Sequence, residues 1–176
     1  MLTGLFSIVP ITEAHIEDFC AAVDSVSRER KYLSFLEGPP LEQARVFVLE
    51  NLHEVWPHFV ALEGTKLVGW CDITSKHRPV YAHSGILGIG VLAAWRGQGV
   101  GKKLMQAALD AARDKGLTRV ELSVNAANER AAALYRKFGF IVEGVRRKAV
   151  CIDGVYQDSI EMGLLLSTAC DTGRLP

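Results

Sequence analysis

Residues 85 to 115 read GILGIGVLAAWRGQGVGKKLMQAALDAARDK, and how this stretch is parsed decides the fold. Gly85 to Leu92 is an aliphatic run that reads as a strand. Gly99 to Lys115 reads as a helix, because Val100, Leu104, Ala107, Ala108 and Ala111 share one face of a 3.6-residue period. Gly116 stops it. Between the two lies Arg96-Gly97-Gln98-Gly99-Val100-Gly101, where three glycines alternate with other residues. Glycine permits the tight turn, and its missing side chain lets backbone amides approach an anion. The helix beginning near Gly99 adds unpaired N–H groups and the positive end of its dipole. Arg96, Lys102 and Lys103 add fixed charge. The stretch therefore reads as a pyrophosphate cradle, with a ligand-free glycine turn as the plainer alternative. It is not a Walker loop: Arg96 stands where the first glycine belongs, and Lys103 where Ser or Thr belongs. Nor is it a dinucleotide fingerprint, since the spacing is GxGxG and not GxGxxG.

Outward from this stretch the chain alternates strands and helices. Phe6 to Pro10 reads as a strand, and residues 12 to 30 as a helix with Thr12 as N-cap and Ile16, Phe19, Cys20, Val23 and Val26 on its apolar face. A loop ends at Gly38-Pro39-Pro40, and a second helix covers Leu41 to His53. Strands at His58 to Glu63 and Lys66 to Ile73 are joined by Gly64-Thr65. Past the strong helix come a strand at Arg119 to Asn125 and a helix at Asn128 to Phe138. Strands at Phe140 to Arg146 and Ser159 to Leu166 then flank a turn at Asp153-Gly154. The order β-α-α-β-β-β-α-β-α-β-β predicts a mixed α/β (α+β) domain over residues 1–167, with helices on both faces of one sheet and a tail at 168–176.

Composition bounds the function. The 176 residues carry 20 basic and 20 acidic side chains, with no basic stripe of the kind a nucleic-acid partner requires. The cluster Arg146-Arg147-Lys148 reads as a solvated strand end. Cys20, Cys71, Cys151 and Cys170 form no CxxC pair and suit a reducing cytoplasm. The five histidines show no metal spacing, so no metal is expected. No apolar run has the length of a membrane span, and the N-terminus reads as a strand and not a signal peptide.

The loop resembles the RxxGxG/A pyrophosphate motif of the GNAT superfamily of N-acetyltransferases. Gly85 to Leu92 is similar to that family's fourth strand, and Asn128 to Phe140, NERAAALYRKFGF, to its second motif. The likeness extends over residues 58 to 166, in the manner of the subgroup with ribosomal-protein N-terminal, spermidine and amino-acid acetyltransferases. It implies a three-layer fold with a mostly antiparallel central sheet. It further implies acetyl-CoA as acyl donor and a primary amine as acceptor: a small amine, an amino-acid-like compound or a protein N-terminus. By resemblance, the backbone of Ile89, Gly90 and Val91 pairs with the pantetheine arm, and Val91 N–H faces the thioester oxygen. Arg96, Gly97, Gln98, Gly99, Val100, Gly101 and Lys102 hold the pyrophosphate, and Asn128 bonds the cofactor arm. Tyr135 lies near the sulfur and protonates the leaving thiolate. Capping for Asn128 and core packing for Tyr135 are the plainer alternatives.

One departure from the family matters. Several relatives carry a glutamate on the fourth strand as base, whereas this strand offers Gly85, Ile86 and Leu87 there. The acceptor-side candidates are Glu29, Tyr32, Asp72, His83 and Asp158, of which Glu29, Asp72, His83 and Asp158 could serve as base. The first helix, the Lys31–Leu36 loop and the strand at Trp70-Cys71-Asp72 are expected to wall the acceptor cleft. A non-catalytic acyl-CoA sensor is the alternative function, and a homodimer fits either reading.

Overall fold

The computed structural model describes residues 5–167, so the expected tail at 168–176, with Cys170, lies outside the described residues. Strands β1 (Ser7–Pro10), β2 (His58–Glu63), β3 (Lys66–Ser75), β4 (Ser84–Val91), β5 (Arg119–Asn125), β6 (Ile141–Ile152) and β7 (Val155–Leu165) form one seven-stranded sheet. Its order is β1-β2-β3-β4-β5-β7-β6, and only the β4–β5 pair is parallel. Helices α1 (Ile16–Arg28) and α2 (Leu41–His53) cover one face, and α3 (Val100–Asp114) and α4 (Glu129–Lys137) the other.

Two cores follow from the strand alternation. Cys71, Ile73, Leu87, Val120, Leu122 and Met162 bury under α3, which supplies Val100, Leu104 and Ala108 from the predicted face and Met105 beside it. On the other side Val60, Leu67 and Trp70 bury under Phe19, Val23 and Val26 of α1 and Val48 of α2. That second layer stops at β4. The outer face of β5, β7 and β6 carries an ion-pair lattice instead, with Arg119 between Glu121 and Glu143, and Lys76 on Glu121.

Two expectations need correction. The first helix opens with a separate 3-10 turn, Glu13–His15, in which Thr12 N–H donates to His15 Nδ1 at 3.0 Å, and α1 proper starts at Ile16. The last two strands are far longer than their expected spans, because the ribbon is solvent-exposed over much of both faces and leaves no alternating pattern to read. Arg146-Arg147-Lys148 therefore lies mid-strand. The register shifts between Arg146 and Val150 there, and Lys148 takes a positive φ of 50°. The turn itself, Asp153-Gly154, is as expected, with both residues at positive φ.

Candidate active site

The site begins with a gap in the sheet. β4 pairs with β5 only over Ser84–Ile86, after which the strands diverge. On its other side β4 stays paired with β3 up to Val91, opposite Gly69. Leu92 N–H bonds Val68 C=O at 2.9 Å, which makes the next pair inward, Val91 with Gly69, a non-hydrogen-bonded one. The backbone groups of Ile89 and Val91 consequently point away from β3, into the gap. Arg96 Nε donates to the Val91 carbonyl at 2.8 Å, leaving the Val91 N–H as the free group of that residue.

Beyond the gap the chain turns through Gly97 and Gly99, both at positive φ (83° and 86°), into α3. Gly99 is the N-cap and has no side chain to satisfy the first turn, and the first internal bond is Lys103 N–H to Gly99 C=O. The N–H groups of Val100, Gly101 and Lys102 thus face outward at the positive end of the helix. These features fit a pyrophosphate. Gln98 folds back, its Nε2 donating to Ala94 C=O at 2.7 Å.

Two of the expected cations are engaged elsewhere in this structure. Arg96 turns away from the cradle: its guanidinium makes two bonds to Glu29, at 2.7 and 2.5 Å, and lies over the Tyr32 ring. Lys103 Nζ lies over Phe6, and Lys102 stays exposed. Arg130 of α4 lies beside the turn, its guanidinium 2.9 Å from where a Gly97 Cβ would stand. Only its position in the Asn128 block signalled it.

Asn128 is the N-cap of α4 and Tyr135 lies within that helix. Asn128 Oδ1 caps the helix through Ala131 N–H at 3.2 Å, so its capping role is real and its Nδ2 is what a ligand could use. Tyr135 is buried beside Phe140. Burial first, and neighbouring Cys71 second, push its phenol well above the ordinary value, so the hydroxyl stays protonated at any working pH. Cys71 is fully buried and its thiol is pushed up in turn, which leaves it a core residue and no nucleophile.

The opposite face presents Asp72. It lies across from Gly88 in the β3–β4 register, and its two carboxylate oxygens stand 3.1 Å from where a Gly88 Cβ would be. Trp70 likewise covers Gly90, where a Cβ would lie 2.2 Å from the ring. These two glycines therefore make room on this face for side chains of β3 and not for a ligand. Burial raises the Asp72 carboxyl to about 7, with no hydrogen bond or ion pair to offset it. A buried acid thus stands on the strand next to β4.

Tyr32 and Glu29 lie at this same end of β4, tied to it through Arg96. A polar cavity opens between Tyr32 and Ser34, Ser123 and Asn125 at the end of β5, and Gln157 and Asp158 of β7. Arg30 pairs with Asp153 at the ribbon tip and ties the loop after α1 to that side. Asp158 and His83 also have structural roles. Asp158 accepts Lys148 N–H at 2.8 Å and so holds the ribbon bulge. His83 precedes β4 at its far end, where its carbonyl anchors Thr118 and Arg119, roughly 20 Å of strand from Ile89.

Residues 14–140 match the model of the Acetyltransferase (GNAT) family. The chain belongs to the GNAT acetyltransferases. Within that family it is similar to N-alpha-acetyltransferase 30 of Schizosaccharomyces pombe, 27% identical over 77% of this chain and 84% of that protein. It is also similar to N-alpha-acetyltransferase RimI of Mycobacterium tuberculosis, 38% identical over 55% of this chain and 60% of the other. The structure of yncA, a putative acetyltransferase from Salmonella typhimurium with its cofactor acetyl-CoA, shares the fold at 16% identity with a TM-score of 0.88, covering 93% and 95% of the two chains.

Proposed function

We propose that this GNAT enzyme moves an acetyl group from acetyl-CoA onto a primary amine by direct attack within a ternary complex. The observation that carries the reading is the β4 edge. Free backbone groups at Ile89 and Val91 lead into the uncapped start of α3 on the donor side, and a buried acid lies across Gly88 on the other. The acetyl-CoA in the yncA structure and the N-acetyltransferase names of the relatives support it. The acceptor is a small amine, an amino-acid-like compound or a protein N-terminus. The three free cysteines among the described residues suit a reducing cytoplasm.

When bound, acetyl-CoA supplies an activated acyl carbon and a thiolate leaving group. Val100, Gly101 and Lys102 N–H groups, with Arg130, hold phosphate charge, and Ile89 and Val91 pair with the pantetheine arm as an added strand would. Asp72 accepts the proton of the attacking amine, and a base poised near 7 suits that task at neutral pH. Val91 N–H faces the acetyl oxygen as negative charge develops on it. Tyr135 donates its hydroxyl proton to the departing sulfur. A carbon–nitrogen bond forms and the carbon–sulfur bond breaks; the amine proton passes to Asp72, Tyr135 gives its proton to sulfur, and through solvent Asp72 releases a proton as Tyr135 regains one, so that both return to their starting states.

Free-thiol release with a panel of amines tests this directly, alongside thermal shifts with acetyl-CoA, ATP and NAD. Turnover with at least one amine and a shift specific to acetyl-CoA are expected. Equal shifts from all three ligands would remove the donor assignment, and binding without turnover would favour the sensor reading.

A further inference from the structure

Behind Asp72, on β2, stands a histidine that the proposed chemistry leaves unused. His58 and Asp72 are cross-strand partners in the β2–β3 register. Ile73 N–H bonds Pro57 C=O at 2.8 Å, so His58 and Asp72 form the non-hydrogen-bonded pair, the arrangement that brings facing side chains closest. His58, Asp72 and Gly88 thus run in a straight line across β2, β3 and β4. Both side chains lie on the α1–α2 face, at 4% and 7% exposure.

The His58 ring is tightly specified. Phe19 and Phe47 pack edge-on against it, and Asn51 of α2 bonds its Nδ1 at 3.2 Å. With the amide nitrogen of Asn51 donating, Nδ1 is the acceptor and the ring proton belongs on Nε2. That Nε2–H is buried and has no hydrogen-bond partner. A buried donor without a partner is costly, and so is a buried carboxylate without a donor. Here the two are neighbours.

We propose that His58 is the positioning residue for Asp72, its Nε2–H donating to the carboxylate through one bridging water so that the acid is aimed over Gly88 and can carry charge when the amine arrives. This rests on the reading of Asp72 as the base. Through the water, His58 stabilises the ionised carboxylate and opposes the effect of burial. Burial also holds the imidazole at about 3, so His58 stays a neutral donor through the working range. Among the described residues no other ionisable group competes for this part. α1 faces Asp72 with Phe19, Val23 and Val26, β4 with glycine and aliphatic residues, and α2 with Asn51 and Val48. The charged groups nearby are committed elsewhere, Asp24 to Arg28 and Glu29 to Arg96. On β3 itself the adjacent ionisable group is the Cys71 thiol, buried on the opposite face.

The test is a carbon-13 titration of the Asp72 carboxyl in the free protein, paired with nitrogen-15 shifts of the His58 ring. In the wild type we expect a neutral, Nε2-protonated ring whose Nε2 shift moves as Asp72 titrates. His58→Phe should raise the Asp72 titration by about one pH unit, the scale of one lost hydrogen bond to a charged form. His58→Gln, which restores a donor, should return part of that shift, and the acid limb of kcat should move with it. An Nδ1-protonated ring, or an Nε2 signal indifferent to Asp72, would overturn the proposal without any variant having to fold. A folded His58→Phe protein with an unmoved Asp72 titration would do the same. The base reading fails separately: Asp72→Asn turning over like wild type would end it, whatever the titration shows.

Discussion

The two sides of β4 are built from different materials. Toward α3 and α4 the site is backbone: strand groups of Ile89 and Val91, a turn at Gly97 and Gly99, and free N–H groups at a helix start. Toward α1 and α2 it is side chains gathered from separate elements: Asp72 from β3, His58 from β2, Tyr32 and Glu29 from the end of α1, Ser123 from β5 and Gln157 from β7. A backbone site is written in consecutive residues and tolerates few changes there. A side-chain site can be redistributed among neighbouring strands, and in this chain the buried acid stands on β3, across from Gly88. The difference teaches where donor recognition and acceptor chemistry should separate on mutation.

The largest effect is expected at Gly99, where both requirements of the backbone side meet. Gly99→Asp places a side chain at φ 86° and a carboxylate among phosphate-facing amides, and should abolish detectable acetyl-CoA binding by calorimetry. Retained binding would break the contrast at its donor end. Tyr135 sits where the two sides meet. Tyr135→Phe keeps the ring in its core site beside Phe140 and removes only the proton. It should lower kcat by roughly 10- to 100-fold with acetyl-CoA affinity intact, below the upper range for general acid catalysis because water can substitute. Unchanged turnover in a chemistry-limited assay would return Tyr135 to packing alone.

Smaller effects sharpen the acceptor side. Glu29→Gln breaks the ion pair that ties Arg96 to the end of α1. The acceptor KM should rise by up to about fivefold, the scale of an ion pair worth ~1 kcal/mol, with the acetyl-CoA KM steady. A rise in the acetyl-CoA KM alone would place this contact on the donor side.

Stability against pH reads the two buried groups directly. Burial raises Asp72 from 3.8 to about 7, so between those values the folded state binds more protons than the unfolded one, and this contribution to stability falls as pH rises. Burial lowers His58 from 6.5 to about 3, so the folded state binds fewer protons there, and that contribution rises with pH. The two slopes oppose each other between about pH 4 and 6.5. Relative to wild type, Asp72→Asn should make urea-derived stability rise with pH across this window and leave the protein more stable at pH 8. His58→Gln should make it fall, each by up to ~1.4 kcal/mol per pH unit. Parallel curves for all three proteins would mean that neither group is perturbed by burial.

What was legible in the sequence follows the same division. The α3 period, the glycine loop and the order of elements were readable because each is local, and the family's motifs lie in the same consecutive residues. The β6–β7 ribbon runs well beyond its expected strands because an exposed two-stranded ribbon need not alternate. Arg96 looked like a phosphate ligand because its motif is contiguous, while its actual partner, Glu29, is distant in sequence. Asp72 stood among several acids and could be singled out only when the register set it over Gly88. His58 gave no signal at all, since a histidine entering a strand is ordinary until its neighbour is known.

The central claim is that an acid on β3 does the work of the one absent from β4. Its most direct test is single-turnover thiol release by Asp72→Asn, with acetyl-CoA affinity measured on the same preparation. The account predicts wild-type affinity for acetyl-CoA, a rate lower by ~10² to 10⁴, and loss of the ionisation near pH 7 from the rate profile. A variant that binds acetyl-CoA, turns over at the wild-type rate and keeps that ionisation would contradict it.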